Sequence, residues 1–287
     1  MMTTIRQRVA DARQTLRDAG IGTMEAESSA RMLAEHVLGW DTARYLTLAG
    51  DPEPAGFAVR YAAAVHRRAL REPAAYITGR REFWGLPLEV SPAVLIPRPE
   101  TELIVEAALD VFGGDRGRRL DVADVCTGSG NLAIALAHEL PHVSITATDI
   151  SEDALVIARR NAMRHAVADR IRFVRADVLD GVEGLFDLIV GNPPYVRQGD
   201  RAALQPEVRD HEPAVALFGG ASGTQLVAMF VEQGTTQLRP GGYLMFEFGL
   251  GQDVAVEDLI TATPGLTLLG LRRDLQGIAR TAVAVRR

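Results

Sequence analysis

An α/β domain on a mostly parallel sheet, preceded by a small helical domain and a β-hairpin connector, is the architecture this sequence predicts. Three observations point to it. From Leu120 onward, short apolar runs alternate with segments of helical period, which implies parallel strands with crossover helices on both faces. The first 75 residues carry helical spacing only. Between the two, Glu82–Val90 mixes aromatics, short alternation and turn residues, the pattern of a hairpin. The expected boundaries are 1–81 for the helical domain, 82–94 for the connector and 95–287 for the α/β domain.

Each element follows from local pattern. Ile5, Val9, Ala12 and Leu16 recur at helical spacing, with Gly20 as a stop. A second helix carries Met32, Leu33 and Val37 and ends near Gly39, and Asp41 caps a short third. Phe57, Tyr61, Ala64 and Val65 line a fourth helix entered through Pro54. The hairpin leads into Leu95-Ile96-Pro97-Arg98-Pro99-Glu100-Thr101-Glu102, a proline-stiffened segment that opens a helix through Leu103, Val105, Ala107 and Leu109. Strands are expected over 120–125, 143–148, 171–175, 186–190 and 243–248, and helices over 131–140, 152–165 and 225–238. A long irregular stretch covers 192–220, and Leu266–Leu269 with Thr281–Val285 form a closing strand pair.

Composition narrows the function. A formal net charge of −6 argues against holding nucleic acid through a broad basic surface, so no direct nucleic-acid partner is expected. The single Cys126 forbids an internal disulfide and fits a reducing compartment. The six histidines are scattered without ligand-like pairing, so no metal is expected. The first 16 residues interleave charges with apolar side chains, unlike a secretory signal. No apolar run reaches the roughly 18 residues that a spanning helix needs. These features predict a cytoplasmic protein, off the membrane; a monomer is the expected form, though none of these features sets it.

Asp124-Val125-Cys126-Thr127-Gly128-Ser129-Gly130-Asn131 sits where the first strand meets the first helix. Its glycines permit a sharp turn and close approach of a ligand to the backbone. Asp149, followed by Ile150, ends the next strand, where an acid accepts hydrogen bonds from ribose hydroxyls. Asp177, after the third strand, is placed for an adenine amine, and Val178 for its ring or for simple core packing. Taken alone, the loop also satisfies the relaxed dinucleotide pattern, so a nicotinamide oxidoreductase stays open. Cys126 reads as a small residue beneath the ligand, because no histidine is placed to activate it.

The fourth strand of the series ends in Asn192-Pro193-Pro194-Tyr195. Its end is expected near that of the first strand, where open α/β sheets bind ligands. Prolines have fixed φ and no N–H, so they hold a loop in one shape with carbonyls available as acceptors. Asn192 adds an amide oxygen and Tyr195 a flat face. Together they suit a planar group bearing NH2, whose delocalised lone pair makes it a poor nucleophile that gains from strict orientation. An electrophilic sulfonium methyl suits such an acceptor without a metal or covalent intermediate.

With these motifs the chain resembles the class I S-adenosylmethionine-dependent methyltransferases, and among them the release-factor glutamine methyltransferases, the HemK/PrmC family. The resemblance rests on Glu72–Gly79, Leu95–Glu102, the glycine loop, Asn192–Tyr195, and Glu212-Pro213 before Ala216-Leu217. It implies a Rossmann-like methyltransferase sheet, S-adenosylmethionine as cofactor, and methyl transfer to the glutamine of the GGQ motif of peptide chain release factors. Cys126, Thr127, Gly128, Ser129, Gly130, Asp149, Ile150, Asp177, Val178 and Asn192 would hold the cofactor. Asn192, Pro193, Pro194, Tyr195 and Arg98 would meet the substrate, with Asn192, Pro193 and Tyr195 at the chemistry. Arg98 and Glu102 would brace the site, and the helical domain would contact the release factor. A ribosomal-protein glutamine and, through the shared Asn-Pro-Pro-Tyr logic, a DNA adenine remain alternative acceptors.

Overall fold

Thr4 starts the first helix by a reciprocal cap. Its hydroxyl accepts from Gln7 N–H at 3.2 Å while Gln7 Oε1 accepts from Thr4 N–H at 2.9 Å. The computed structural model describes residues 3–115 and 117–287. Helices α1 (Ile5–Asp18), α2 (Thr23–Leu38), α3 (Thr42–Leu48), α4 (Phe57–Ala69) and α5 (Ala74–Thr78) come first. Strands β1 (Arg80–Phe83) and β2 (Leu86–Glu89) form a two-stranded hairpin. Then come α6 (Glu102–Phe112), β3 (Leu120–Val125), α7 (Asn131–Glu139), β4 (Val143–Asp149), α8 (Glu152–Arg164), β5 (Ile171–Arg175) and β6 (Phe186–Gly191). The chain continues through α9 (Pro206–His211), α10 (Gln225–Gln237), β7 (Leu238–Glu247), α11 (Asp253–Ala262), β8 (Leu266–Arg273) and β9 (Ala279–Arg286).

Two compact units result, divided at Arg80 and Arg81, with Gln205–His211 grouped in the first. In this helical unit, Ile5, Val9, Ala12 and Leu16 of α1 pack with Leu33, Phe57 and Tyr61 in one apolar core. Tyr61 donates to the Ala30 carbonyl at 2.9 Å, which satisfies its buried hydroxyl. Arg68 is 1% exposed and pairs with Glu25 at 2.7 Å and with Glu207 of α9 at 2.9 Å. Arg71 takes the other oxygen of Glu207 at 2.7 Å.

The second unit is a seven-stranded sheet in the order β5-β4-β3-β6-β7-β9-β8. The five strands from β5 to β7 are parallel, and β9 runs antiparallel to both β7 and β8. Successive strands step from β3 outward to β5, and the chain then returns to place β6 on the other side of β3. That reversal leaves a crevice at the carboxyl ends of β3 and β6, the usual ligand site of such sheets. Apolar side chains of both sheet faces form two cores, one around Leu188 and Val190 with α6 and α7, the other around Ile189 and Phe246 with α10 and α11.

The hairpin turns through Trp84 at φ +53 and Gly85 at φ +68, positive at both positions as a two-residue turn demands. Phe83 and Leu88 anchor the hairpin in the core of this unit. Glu102, expected to brace the site, accepts at its Oε1 from Trp84 N–H at 2.8 Å and so holds the hairpin turn.

Candidate active site

Register places the two loops of interest side by side. Val125 pairs with Gly191 across β3 and β6, so Cys126 and Asn192 leave the sheet as neighbours. Gly191 is obligatory there: a Cβ would lie 2.7 Å from the Val125 carbonyl oxygen and 2.8 Å from the Phe230 ring.

A cavity of about 210 Å³ opens at this crevice, walled by the glycine loop, the ends of β4 and β5, the 93–101 segment and Asn192. Of the expected cofactor residues, Cys126, Thr127, Gly128, Ser129, Asp149, Ile150, Asp177, Val178 and Asn192 all line it. Gly130 does not. It starts α7 at φ +83, where a Cβ would sit 3.2 Å from that of Ala158, so it serves the close packing of α7 on α8.

Asp149 Oδ2 accepts from Gly128 N–H and Oδ1 from Ser151 N–H, both at 2.9 Å. Desolvation pushes its pKa up, against the pull of these backbone donors. Such a carboxylate gains from further hydroxyl donors. Beneath the loop, Asp124 is wholly buried and its Oδ2 accepts from Thr127 Oγ1 at 2.5 Å and Ala133 N–H at 3.0 Å. Burial lifts its pKa to about 7. The Cys126 thiol is pushed up by desolvation and by Asp149, Asp124 and Asp177, so it remains a neutral thiol and not a nucleophile.

Two features suit a bound nucleoside. Ser129 lines the cavity and its buried hydroxyl has no partner within the protein. Val178 lies at φ +58, a costly conformation for a β-branched residue that clusters at ligand clamps. Its carbonyl is held by the Thr148 hydroxyl at 2.7 Å. With the acceptor Asp149 and the glycine loop, the donor set fits S-adenosylmethionine.

On the acceptor side, Asn192, Pro194 and Arg98 line the cavity, while Pro193 and Tyr195 do not. The Tyr195 hydroxyl donates to Glu247 at 2.9 Å and its carbonyl accepts from Gln252 at 3.0 Å, so both polar ends are engaged inside the protein. The Pro194 carbonyl packs on Gly219, where a Cβ would collide with its oxygen. Of the expected acceptors, the Asn192 side chain is therefore the principal one in the cavity wall. Arg98 pairs with Glu212 at 2.5 Å, and Glu212 also accepts from Ile96 N–H, which fixes the proline-rich segment.

Sequence reasoning missed Thr101, Glu247 and Gln252. Glu247 offered a signal: a carboxylate inside the apolar run Leu244-Met245-Phe246-Glu247-Phe248. Among the described residues, no group of three His, Cys, Asp or Glu side chains is arranged to hold a metal, and no helix is long and apolar enough to cross a membrane.

Comparison with known proteins adds a family context. The family model of the PrmC N-terminal domain matches residues 7–79, and that of the methyltransferase small domain matches residues 103–208. The chain is 40% identical to a release factor glutamine methyltransferase of Bradyrhizobium diazoefficiens, over 97% of this chain and 95% of the relative. It is 39% identical to one of Cereibacter sphaeroides, over 96% and 98%. A methyltransferase structure from Pyrococcus furiosus matches with a TM-score of 0.53 at 19% identity, over 79% of this chain and 98% of that one, a likeness of fold.

Proposed function

The chain belongs to the release factor glutamine methyltransferase family, and from that premise we propose that it methylates the side-chain amide nitrogen of the glutamine in the GGQ motif of peptide chain release factors. The observation that carries this reading is the shared cavity: Asn192 stands in one wall with the glycine loop and Asp149.

S-adenosylmethionine, when bound, supplies an electrophilic sulfonium methyl. The chain's own residues do the rest by placement. Residues 126–129, Asp149, Ile150, Asp177 and Val178 bind the cofactor, with Asp149 accepting from hydroxyls and Ser129 offering a free one. Asn192 Oδ1 accepts an N–H of the acceptor carboxamide and so turns its nitrogen toward the cofactor side of the cavity. Pro193, Pro194 and Tyr195 keep Asn192 in place, and Arg98 holds the facing wall through Glu212. Orientation of this kind supplies several kcal/mol, up to about 7–11 in the most favourable systems. As the nitrogen gains positive charge, its N–H donates more strongly to Asn192, so the contact strengthens toward the transition state. The N–CH3 bond forms as the S–CH3 bond breaks, S-adenosylhomocysteine is the leaving group, and the nitrogen gives up one proton to water.

The helical unit is the part proposed to meet the release factor, and the enzyme is read as a cytoplasmic monomer. The test is mass spectrometry of a purified release factor after incubation with the protein and S-adenosylmethionine. One methyl on the GGQ glutamine is expected, lost when that glutamine is changed to alanine. Preferential labelling of a ribosomal protein or of duplex DNA would replace this reading with one of those acceptors.

A further inference from the structure

Behind Asn192 a line of hydrogen bonds runs into the core. The Asn192 Nδ2 group donates to Thr101 Oγ1 at 3.1 Å, Thr101 Oγ1 donates to Glu247 Oε2 at 2.5 Å, and Glu247 Oε1 accepts from the Tyr195 hydroxyl at 2.9 Å. Thr101 is 1% exposed and Glu247 is 2% exposed, so water does not substitute for a lost partner. Thr101 precedes α6, Glu247 ends β7, and Asn192 and Tyr195 follow β6, so three separate parts of the chain converge on this line.

Counting protons gives the line a direction. A carboxylate only accepts, and a threonine hydroxyl has one hydrogen. With that hydrogen committed to Glu247, Thr101 has lone pairs left and no proton for Asn192. The Asn192 carboxamide must then turn its NH2 to Thr101 and its Oδ1 away from it, leaving Oδ1 to meet a partner in the cavity that both residues line. A donor at position 247 would reverse each step: Thr101 would donate to Asn192, and the carboxamide would present NH2 to the cavity. An acceptor amide meeting that NH2 would offer its oxygen and swing its nitrogen away.

We propose that Glu247, acting through Thr101, is a positioning residue that fixes the Asn192 carboxamide with its oxygen toward the acceptor, and thereby selects the nitrogen of a substrate carboxamide over its oxygen. This rests on the reading of Asn192 as the group that holds the acceptor. Desolvation pushes the Glu247 pKa up, against the pull of the Thr101 and Tyr195 hydroxyls. Both Glu247 oxygens accept in this structure, one from Thr101 Oγ1 and the other from the Tyr195 hydroxyl, so neither carries a hydrogen toward Thr101.

The test uses the full chain with S-adenosylmethionine and a purified release factor, reading kcat and KM by methyl incorporation and fold by S-adenosylhomocysteine affinity. Thr101→Val keeps the shape and removes the hydroxyl. It is expected to lower kcat by about tenfold to a hundredfold, the effect of one misdirected buried polar group, with KM and S-adenosylhomocysteine affinity little changed. Thr101→Ser keeps the hydroxyl and loses a methyl, and is expected to recover most of that loss. Glu247→Gln, which can offer an N–H to Thr101, is expected to lower kcat with KM preserved. Full turnover by Thr101→Val or by Glu247→Gln overturns the proposal, as does a Thr101→Ser enzyme no better than Thr101→Val. If Thr101→Val fails to bind S-adenosylhomocysteine, the serine and glutamine variants decide. No transfer by the unaltered chain defeats the underlying reading, and this proposal with it; transfer without the variant pattern defeats the proposal alone.

Discussion

Gly191 and Val125 are register partners on neighbouring parallel strands, and the space between the Val125 carbonyl and the Phe230 ring admits no Cβ at Gly191. Gly191→Ala therefore has to displace β6 from β3 or shift the Phe230 ring. Overpacking of this kind costs about 1–3 kcal/mol. Urea denaturation is expected to show that loss, and turnover to fall further than stability because Asn192 moves with Gly191.

Asn192 and Asp149 line the same cavity but do different work, and substitution separates them. Asn192→Ala is expected to lower kcat by about a hundredfold or more, as for loss of a donor or acceptor matched to developing charge. Its S-adenosylhomocysteine affinity should stay near that of the unaltered protein in calorimetric titration. Asp149→Ala removes an acceptor and frees the Gly128 and Ser151 N–H groups. It is expected to weaken S-adenosylhomocysteine binding by about tenfold to a hundredfold, the worth of one charged hydrogen bond, with a smaller effect on kcat at saturation. Equal losses of affinity and turnover in Asn192→Ala would mean that it serves the cofactor instead.

Arg68 carries a buried charge whose partners are Glu25 and Glu207. Arg68→Met is expected to destabilise the helical unit by about 3–5 kcal/mol, because it leaves Glu207 buried with Arg71 alone. Adding Glu207→Gln should recover part of the loss. Chemical denaturation of both variants checks this, and strict additivity of the two effects would rule out the coupling.

Asp124 makes stability fall as pH rises. Its folded-state pKa of about 7 lies above its unfolded value, near 3.9. The folded state thus holds a proton that the unfolded state has released, and this contribution is complete below the unfolded pKa and lost as pH climbs through the folded one. Asp124→Asn, whose oxygen can still accept from Thr127 and Ala133, is expected to flatten the melting temperature between about pH 4 and 7. An unchanged profile would place the titration elsewhere.

Much of this arrangement was readable in the residues. Leu120–Val125 and Ile171–Arg175 form strands over the expected residues, because their apolar runs are bounded by clear turn signals. The strand expected at Tyr243 starts earlier, at Leu238, since Pro240-Gly241-Gly242 reads as a turn but lies in an irregularity where the β6–β7 register shifts. Helix α11 escaped notice: only Val256 and Ile260 are buried in it, a stripe too narrow to stand out. Within the site, Asp149 and Asn192 were legible from their places after strands. Glu247 left only the faint signal of a carboxylate in an apolar run, and the role of Thr101 left none, since a side chain that bonds only to other side chains leaves no spacing pattern in the chain.

Among the described residues β9 is the latest strand along the chain, yet it lies between β7 and β8. Thr281 of β9 stands opposite Glu247 in register. During synthesis, the nascent sheet therefore presents β7 as an open edge until residues beyond 279 leave the ribosome, and open edges invite mispairing. A newly made copy thus acquires the enclosed surroundings of Glu247 only once β9 has paired with β7, after every other part of the sheet has left the ribosome.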